Sequence, residues 1–109
     1  VKFQSKALHG IVRPYNQMDQ MLKSQGFNSC HNQPPVYHLQ IKDVGTGLTY
    51  RLRVPTSNPQ PLAKSEYLRL ESSLIELEPL DKSSEEFVPQ SVLHAVHHKM
   101  EEVASYLRS

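Results

Sequence analysis

The residues best equipped for chemistry are three histidines near the C-terminal end, His94, His97 and His98, followed by Glu101 and Glu102. In a helix, a turn of about 100° per residue gathers His94, His97, His98 and Glu101 on one side. Imidazoles at i and i+4 can share one metal ion, and a carboxylate one turn further on can be a third ligand. The order is not His-Glu-x-x-His, so the internal base of a metalloprotease is missing. The plainer alternative is a solvated polar helix face that happens to be rich in histidine.

Cys30-His31 places a thiol beside an imidazole, the pairing of an activated nucleophile. Sequence neighbours rarely have the required side-chain geometry, and no helix start or basic cluster adjoins them. A free cysteine is the simpler reading. A third group is basic: Lys42, Arg51 and Arg53, with His38, Gln40 and Arg69 near them in the expected structure. A basic sheet face can contact RNA, but such faces add exposed aromatics on which bases stack. Asp19, Asp43 and Asp81 are scattered singly, the four glycines form no phosphate-cradling run, and no Gly-x-Ser-x-Gly elbow is found. No catalytic motif emerges.

These side chains must be positioned by a chain of 109 residues, the size of one domain with one core. The hydrophobic content of 38% and charged content of 21% are those of an ordinary globular domain. Twelve Lys and Arg against eleven Asp and Glu give a net charge of +1. Binders of duplex nucleic acid usually carry a basic excess, because affinity comes largely from neutralising phosphates. No stretch approaches the roughly 18–20 apolar residues of a membrane helix, and the opening residues contain no apolar signal segment. A single cysteine cannot form an internal disulfide, which favours the cytoplasm.

The clearest element is a hairpin at 36–54. Tyr37, Leu39 and Ile41 alternate with His38, Gln40 and Lys42; beyond a glycine-containing turn, Leu48, Tyr50, Leu52 and Val54 alternate with Thr49, Arg51 and Arg53. Period-2 alternation on both sides of a short turn predicts antiparallel strands with one wet face. The same parity turns Tyr37 and Tyr50 inward and removes them as a stacking platform. A strand is expected near 2–12, with Phe3, Leu8, Ile11 and Val12 as core candidates. Met18, Met21 and Leu22 predict a helix near 15–25, opened by Pro14 and ended by Gly26, with Phe27 folding back. Asn28–Pro35 and Pro55–Pro61 read as loops.

Another strand is expected near 66–77, where Leu68 and Leu70 lie on one parity and Ile75 and Leu77 on the other. One extra residue near Ser72-Ser73, a bulge, accounts for the change of phase. Residues 66–77 could then present an unpaired edge. After an acidic stretch with a possible capping box at Ser83 and Glu86, Leu93, Val96, Met100, Val103 and Leu107 predict a long helix near 90–107. The expected class is α+β: one domain over 1–109, an antiparallel sheet with both helices packed on one face.

Three segments resemble the YugN-like family of small, uncharacterised Bacillus-type proteins. They are Val1-Lys2-Phe3 with the helix end Met21-Leu22-Lys23-Ser24-Gln25-Gly26-Phe27; Leu48-Thr49-Tyr50-Arg51-Leu52-Arg53-Val54-Pro55; and the long C-terminal helix. Asn28–Pro35 departs from the glycine- and aromatic-rich stretch expected after the first helix. The resemblance implies an α+β fold and a cytoplasmic setting, and carries over no substrate, cofactor or catalytic residue.

The expected function is a non-enzymatic interaction or accessory domain with a protein partner or a second copy of itself, a possible homodimer. No cofactor is expected. The alternatives are a metal- or small-ligand-binding domain using His94, His97, His98 and Glu101, and an RNA-contacting sheet face at Lys42, Arg51 and Arg53, which the charge balance and inward tyrosines disfavour.

Overall fold

A computed structural model describes residues 2–30, 34–59, 67–80 and 88–109. The elements run β1 (Lys2–Phe3), a 3₁₀ turn (Lys6–Leu8), β2 (Val12–Pro14), α1 (Tyr15–Ser24), β3 (Asn28–Ser29), β4 (Val36–Lys42), β5 (Thr49–Ser57), β6 (Tyr67–Leu70), β7 (Ile75–Pro79) and α2 (Gln90–Arg108). The strands form a seven-stranded antiparallel sheet. Five of them lie in the order β1-β7-β5-β4-β3, while β6 pairs with the far end of β5 and with β2. Among the described residues, no helix is long and apolar enough to cross a membrane.

The hairpin forms as predicted, and its register sets Tyr37 opposite Val54, Leu39 opposite Leu52 and Ile41 opposite Tyr50. Its inward residues Tyr37, Tyr50, Leu52 and Val54 are buried in one core with Met18 and Leu22 of α1. Val92, Val96, Met100, Val103, Ala104 and Leu107 of α2 complete that core. Each fully buried aliphatic side chain contributes on the order of 1.5–3 kcal/mol over leaving it in water. The two helices thus cover one face of the sheet. Phe3 and Val12 are half-buried, whereas Leu8 and Ile11 belong to the core.

Several boundaries differ from expectation, each for a pairing reason. The first strand is broken into β1 and β2, and the 3₁₀ turn between them puts Leu8 into the core. Asn28 and Ser29 are not loop but pair with His38 and Tyr37. Pro55 does not end β5. It sits opposite Val36 and its carbonyl accepts from Glu71 N–H at 2.9 Å, so the strand continues without needing the donor that proline lacks.

The phase change along 67–79 is larger than a single-residue bulge. Between the pairs Arg53–Glu76 and Thr56–Leu70, Val54 and Pro55 of β5 face five residues, Glu71 to Ile75. Three extra residues are an odd number, so inward-facing parity still flips: Leu68 and Leu70 are buried before the corner, Ile75 and Leu77 after it. This segment is not an edge. β6 lies between β2 and β5, and β7 lies between β1 and β5. The capping box at Ser83 and Glu86, and part of the Pro55–Pro61 loop, lie outside the described residues.

Helix α1 ends as its sequence predicts. Phe27 N–H donates to the Leu22 carbonyl at 3.0 Å and Gly26 N–H to that of Lys23 at 3.1 Å, with Leu22 and Phe27 both buried. This is a Schellman cap, which needs a left-handed residue. Gly26 has φ +97, and a Cβ there would lie 3.3 Å from Leu39 Cδ1. Gly26→Ala is expected to lower unfolding free energy by at least about 1 kcal/mol, measured by urea denaturation.

Candidate functional site

With both helices on one side, the opposite face of the sheet is open among the described residues. Strand alternation places His38, Gln40 and Lys42 of β4 and Thr49, Arg51 and Arg53 of β5 on that face. The neighbour of β5 on its other side is β7, and its outward residues are Glu76 and Glu78. Register sets Arg53 beside Glu76 and Arg51 beside Glu78, with Lys2 of β1 beyond Glu76. His38 and Gln40 flank the arginines on the β4 side. The surface is therefore a stripe of carboxylates running alongside a stripe of guanidinium groups.

The stripes are largely unspent. Arg51 Nη1 and Glu78 Oε1 are 3.6 Å apart, with side chains 42% and 40% exposed. Such an exposed pair is worth little by itself. Among the described residues, Arg53 and Glu76 form no ion pair although they face each other. Arg69 stands apart, at the β6 end, where it meets Ser57 Oγ at 3.3 Å and Glu71 at 3.5 Å. Glu76 and Glu78 were not singled out by sequence. Their alternation with Ile75 and Leu77 signals that they face outward, but not that β7 lies next to β5.

The histidines divide. His94, His98 and Glu101 are exposed on α2, and His94 lies 3.5 Å from Gln90. His97 tilts over the ring of Phe3, with centroids 6.1 Å apart. His97 and Glu101 line a shallow depression of about 320 Å³ with Gln4, Ser5, Lys6 and Ala7, so Lys6 brings a positive charge to the same hollow. Among the described residues, no three His, Cys, Asp or Glu side chains gather as a metal site. Glu102, held below the usual carboxylate range mainly by its hydrogen bond from Lys99, turns to that lysine at 2.8 Å. Cys30 is an exposed free thiol whose N–H bonds the Val36 carbonyl; His31 lies outside the described residues.

Part-buried polar contacts tie the sheet to the helices and close the hairpin tip. The Tyr37 hydroxyl donates to Asp19 Oδ1 at 2.7 Å, and Lys23 Nζ lies 3.0 Å from Asp19 Oδ2. Burial, then the Asp19 carboxylate, pushes the tyrosine hydroxyl far up. Burial raises Asp19, but hydrogen bonds from Tyr37 and Lys23 and the lysine charge outweigh it, so the carboxyl sits below its usual value. At the hairpin tip, Asp43 Oδ2 accepts from Thr46 Oγ1 at 2.8 Å and Thr46 N–H at 3.2 Å, while Oδ1 accepts from Ser91 Oγ at 3.1 Å. The Thr46 hydroxyl above all, then Ser91 and backbone donors, overcomes desolvation and lowers this carboxyl too. Neither contact was signalled by sequence spacing.

An α+β domain with an antiparallel sheet covered on one face by two helices is the class these features define. No protein-family model and no curated protein matches the chain. Among solved structures, its fold is similar to the crystal structure of the uncharacterized conserved protein YugN from Geobacillus kaustophilus HTA426. The TM-score is 0.74 over 99% of this chain and 95% of that one, at 17% sequence identity. At that identity the likeness shows the fold: the chain is YugN-like in architecture.

Lowered carboxylate pKa values stabilise the folded state above the unfolded value near 3.8, and the contribution is lost as pH falls through the folded values. The melting temperature should therefore hold between about pH 5 and about pH 9 and drop below about pH 4, with a shallower drop in Asp19→Asn and Asp43→Asn. Tyr37→Phe removes a hydrogen bond to a charged acceptor and should cost about 1–2 kcal/mol at pH 7, read by chemical denaturation.

Proposed function

We propose that the chain is a non-enzymatic interaction or accessory domain that docks on a protein through its open sheet face. The observation that carries this reading is the pairing of two extended charge stripes, Glu76 and Glu78 beside Arg51 and Arg53, on a face that neither helix covers. A stiff sheet presents fixed charges at low entropic cost, and complementary charge arrays favour specific encounter over tight burial. The exposed thiol of Cys30 suits a reducing compartment, in keeping with a cytoplasmic setting. RNA contact through Lys42, Arg51 and Arg53 is less well supported, because carboxylates stand beside both arginines and both inner tyrosines are buried.

Affinity capture from the native lysate tests the reading. A partner should be recovered on immobilised wild-type protein, lost on the R51E/R53E variant and kept on His94→Ala/His98→Ala. Loss on the histidine variant with retention on R51E/R53E would move the binding surface to α2. A second reading keeps His94, His97, His98 and Glu101 as a metal or small-ligand surface, supported by the exposed i, i+4 pair His94 and His98. Zinc should then raise the melting temperature of untagged protein but not of the double alanine variant; an unchanged wild-type melt ends it.

A further inference from the structure

We infer that the open face takes a second copy of this chain, stacked on it about a two-fold axis parallel to the strands and lying over the boundary between β5 and β7. This rests on the reading of that face as the docking surface. A rotation of 180° about such an axis leaves position along the strands unchanged and exchanges the two stripes. Arg51 then comes over Glu78 of the other copy, because the two are already level in the sheet, and Arg53 comes over Glu76 in the same way. The operation yields four crossed Arg–Glu juxtapositions from two stripes. A patch that is complementary to itself under a two-fold is the requirement of an isologous dimer.

The flanking columns are compatible with this arrangement. β4 passes over β1 of the other copy, which sets His38 over Lys2; these lie at equal height because each is level with the Arg53–Glu76 pair. This juxtaposition occurs twice, once at each rim of the contact, where screening is strongest. Packed sheets keep their strands within about 30° of each other and lie about 10 Å apart, a gap that arginine and glutamate side chains bridge together. The size of the contact sets its strength. Three strands with roughly five residues each and the two residues of β1, about 4.8 Å apart and about 3.3 Å per residue, give a footprint of roughly 270 Å². A stable complex buries about 800 Å² per partner, so the dimer is an exchanging one that forms at high protein concentration and low salt.

Sedimentation equilibrium up to several hundred micromolar tests the pairing by charge exchange. Wild-type protein at low salt should rise above the 12.5 kDa monomer mass toward twice that value, and fall back in 0.5 M NaCl. R51E/R53E makes both stripes acidic and E76R/E78R makes both basic. Each variant should be monomeric alone, and an equimolar mixture should dimerise at least as strongly as wild type. Circular dichroism and melting curves confirm that the variants are folded; if either is not, single exchanges at Arg53 and Glu76 replace them. A monomeric wild type, or a mixture that stays monomeric, overturns the two-fold pairing. If R51E/R53E nevertheless loses a captured partner of another sequence, the interaction reading stands and only the self-pairing falls.

Discussion

The architecture depends on one corner, residues 71–74, where the chain changes which of its side chains face the core. β5 is nine residues long and is flanked on one side by a single returning segment, β6 at one end and β7 at the other. A continuous strand would keep one parity and could bury either Leu68 and Leu70 or Ile75 and Leu77, but not both pairs. Three extra residues at the corner reverse the parity and let all four enter the core. The N-terminal chain makes the matching break at the 3₁₀ turn, where Ser5 N–H donates to the Ser72 carbonyl at 2.9 Å and Leu70 N–H donates to that of Ile11 at 3.2 Å. Both strands of this ribbon thus yield at one place.

The same corner creates the charged face. By turning Ile75 and Leu77 inward, it turns Glu76 and Glu78 outward beside Arg51 and Arg53. A one-residue difference in its length would put leucine and isoleucine on the wet side and the carboxylates in the core. The helices are then tied down by polar links from the sheet side: Tyr37 to Asp19 on α1, Asp43 to Ser91 on α2, and Arg13 Nε to the Leu107 carbonyl at 2.7 Å. The last satisfies a helix-terminal carbonyl that has no acceptor role within the helix. Apolar packing supplies the bulk of stability, and these links fix where each helix lies.

Two surfaces therefore stand on opposite sides of the molecule with different characters. The histidine side of α2 is an exposed polar face, with His97 diverted onto Phe3 and Glu102 onto Lys99. On the sheet face, among the described residues, the charges are ordered by strand register.

What the sequence determined by itself was local. Alternation in 36–42 and 48–54 specified the hairpin and the inward tyrosines, since a strand's side chains have a period of two. The apolar stripe from Leu93 to Leu107 specified α2, and Gly26 specified the end of α1 because only a left-handed residue closes that cap. Tertiary structure decided the rest. It placed β7 beside β5, kept Pro55 inside a strand, set β6 between β2 and β5 and β7 between β1 and β5, and brought Asp43 to Ser91 across 48 positions. These outcomes depend on pairings between distant segments, and a shift of one residue at the corner would reverse them, so no local pattern encodes them. The histidines drew attention by their spacing, but the fold made the neighbouring stripes of arginine and glutamate the more ordered surface.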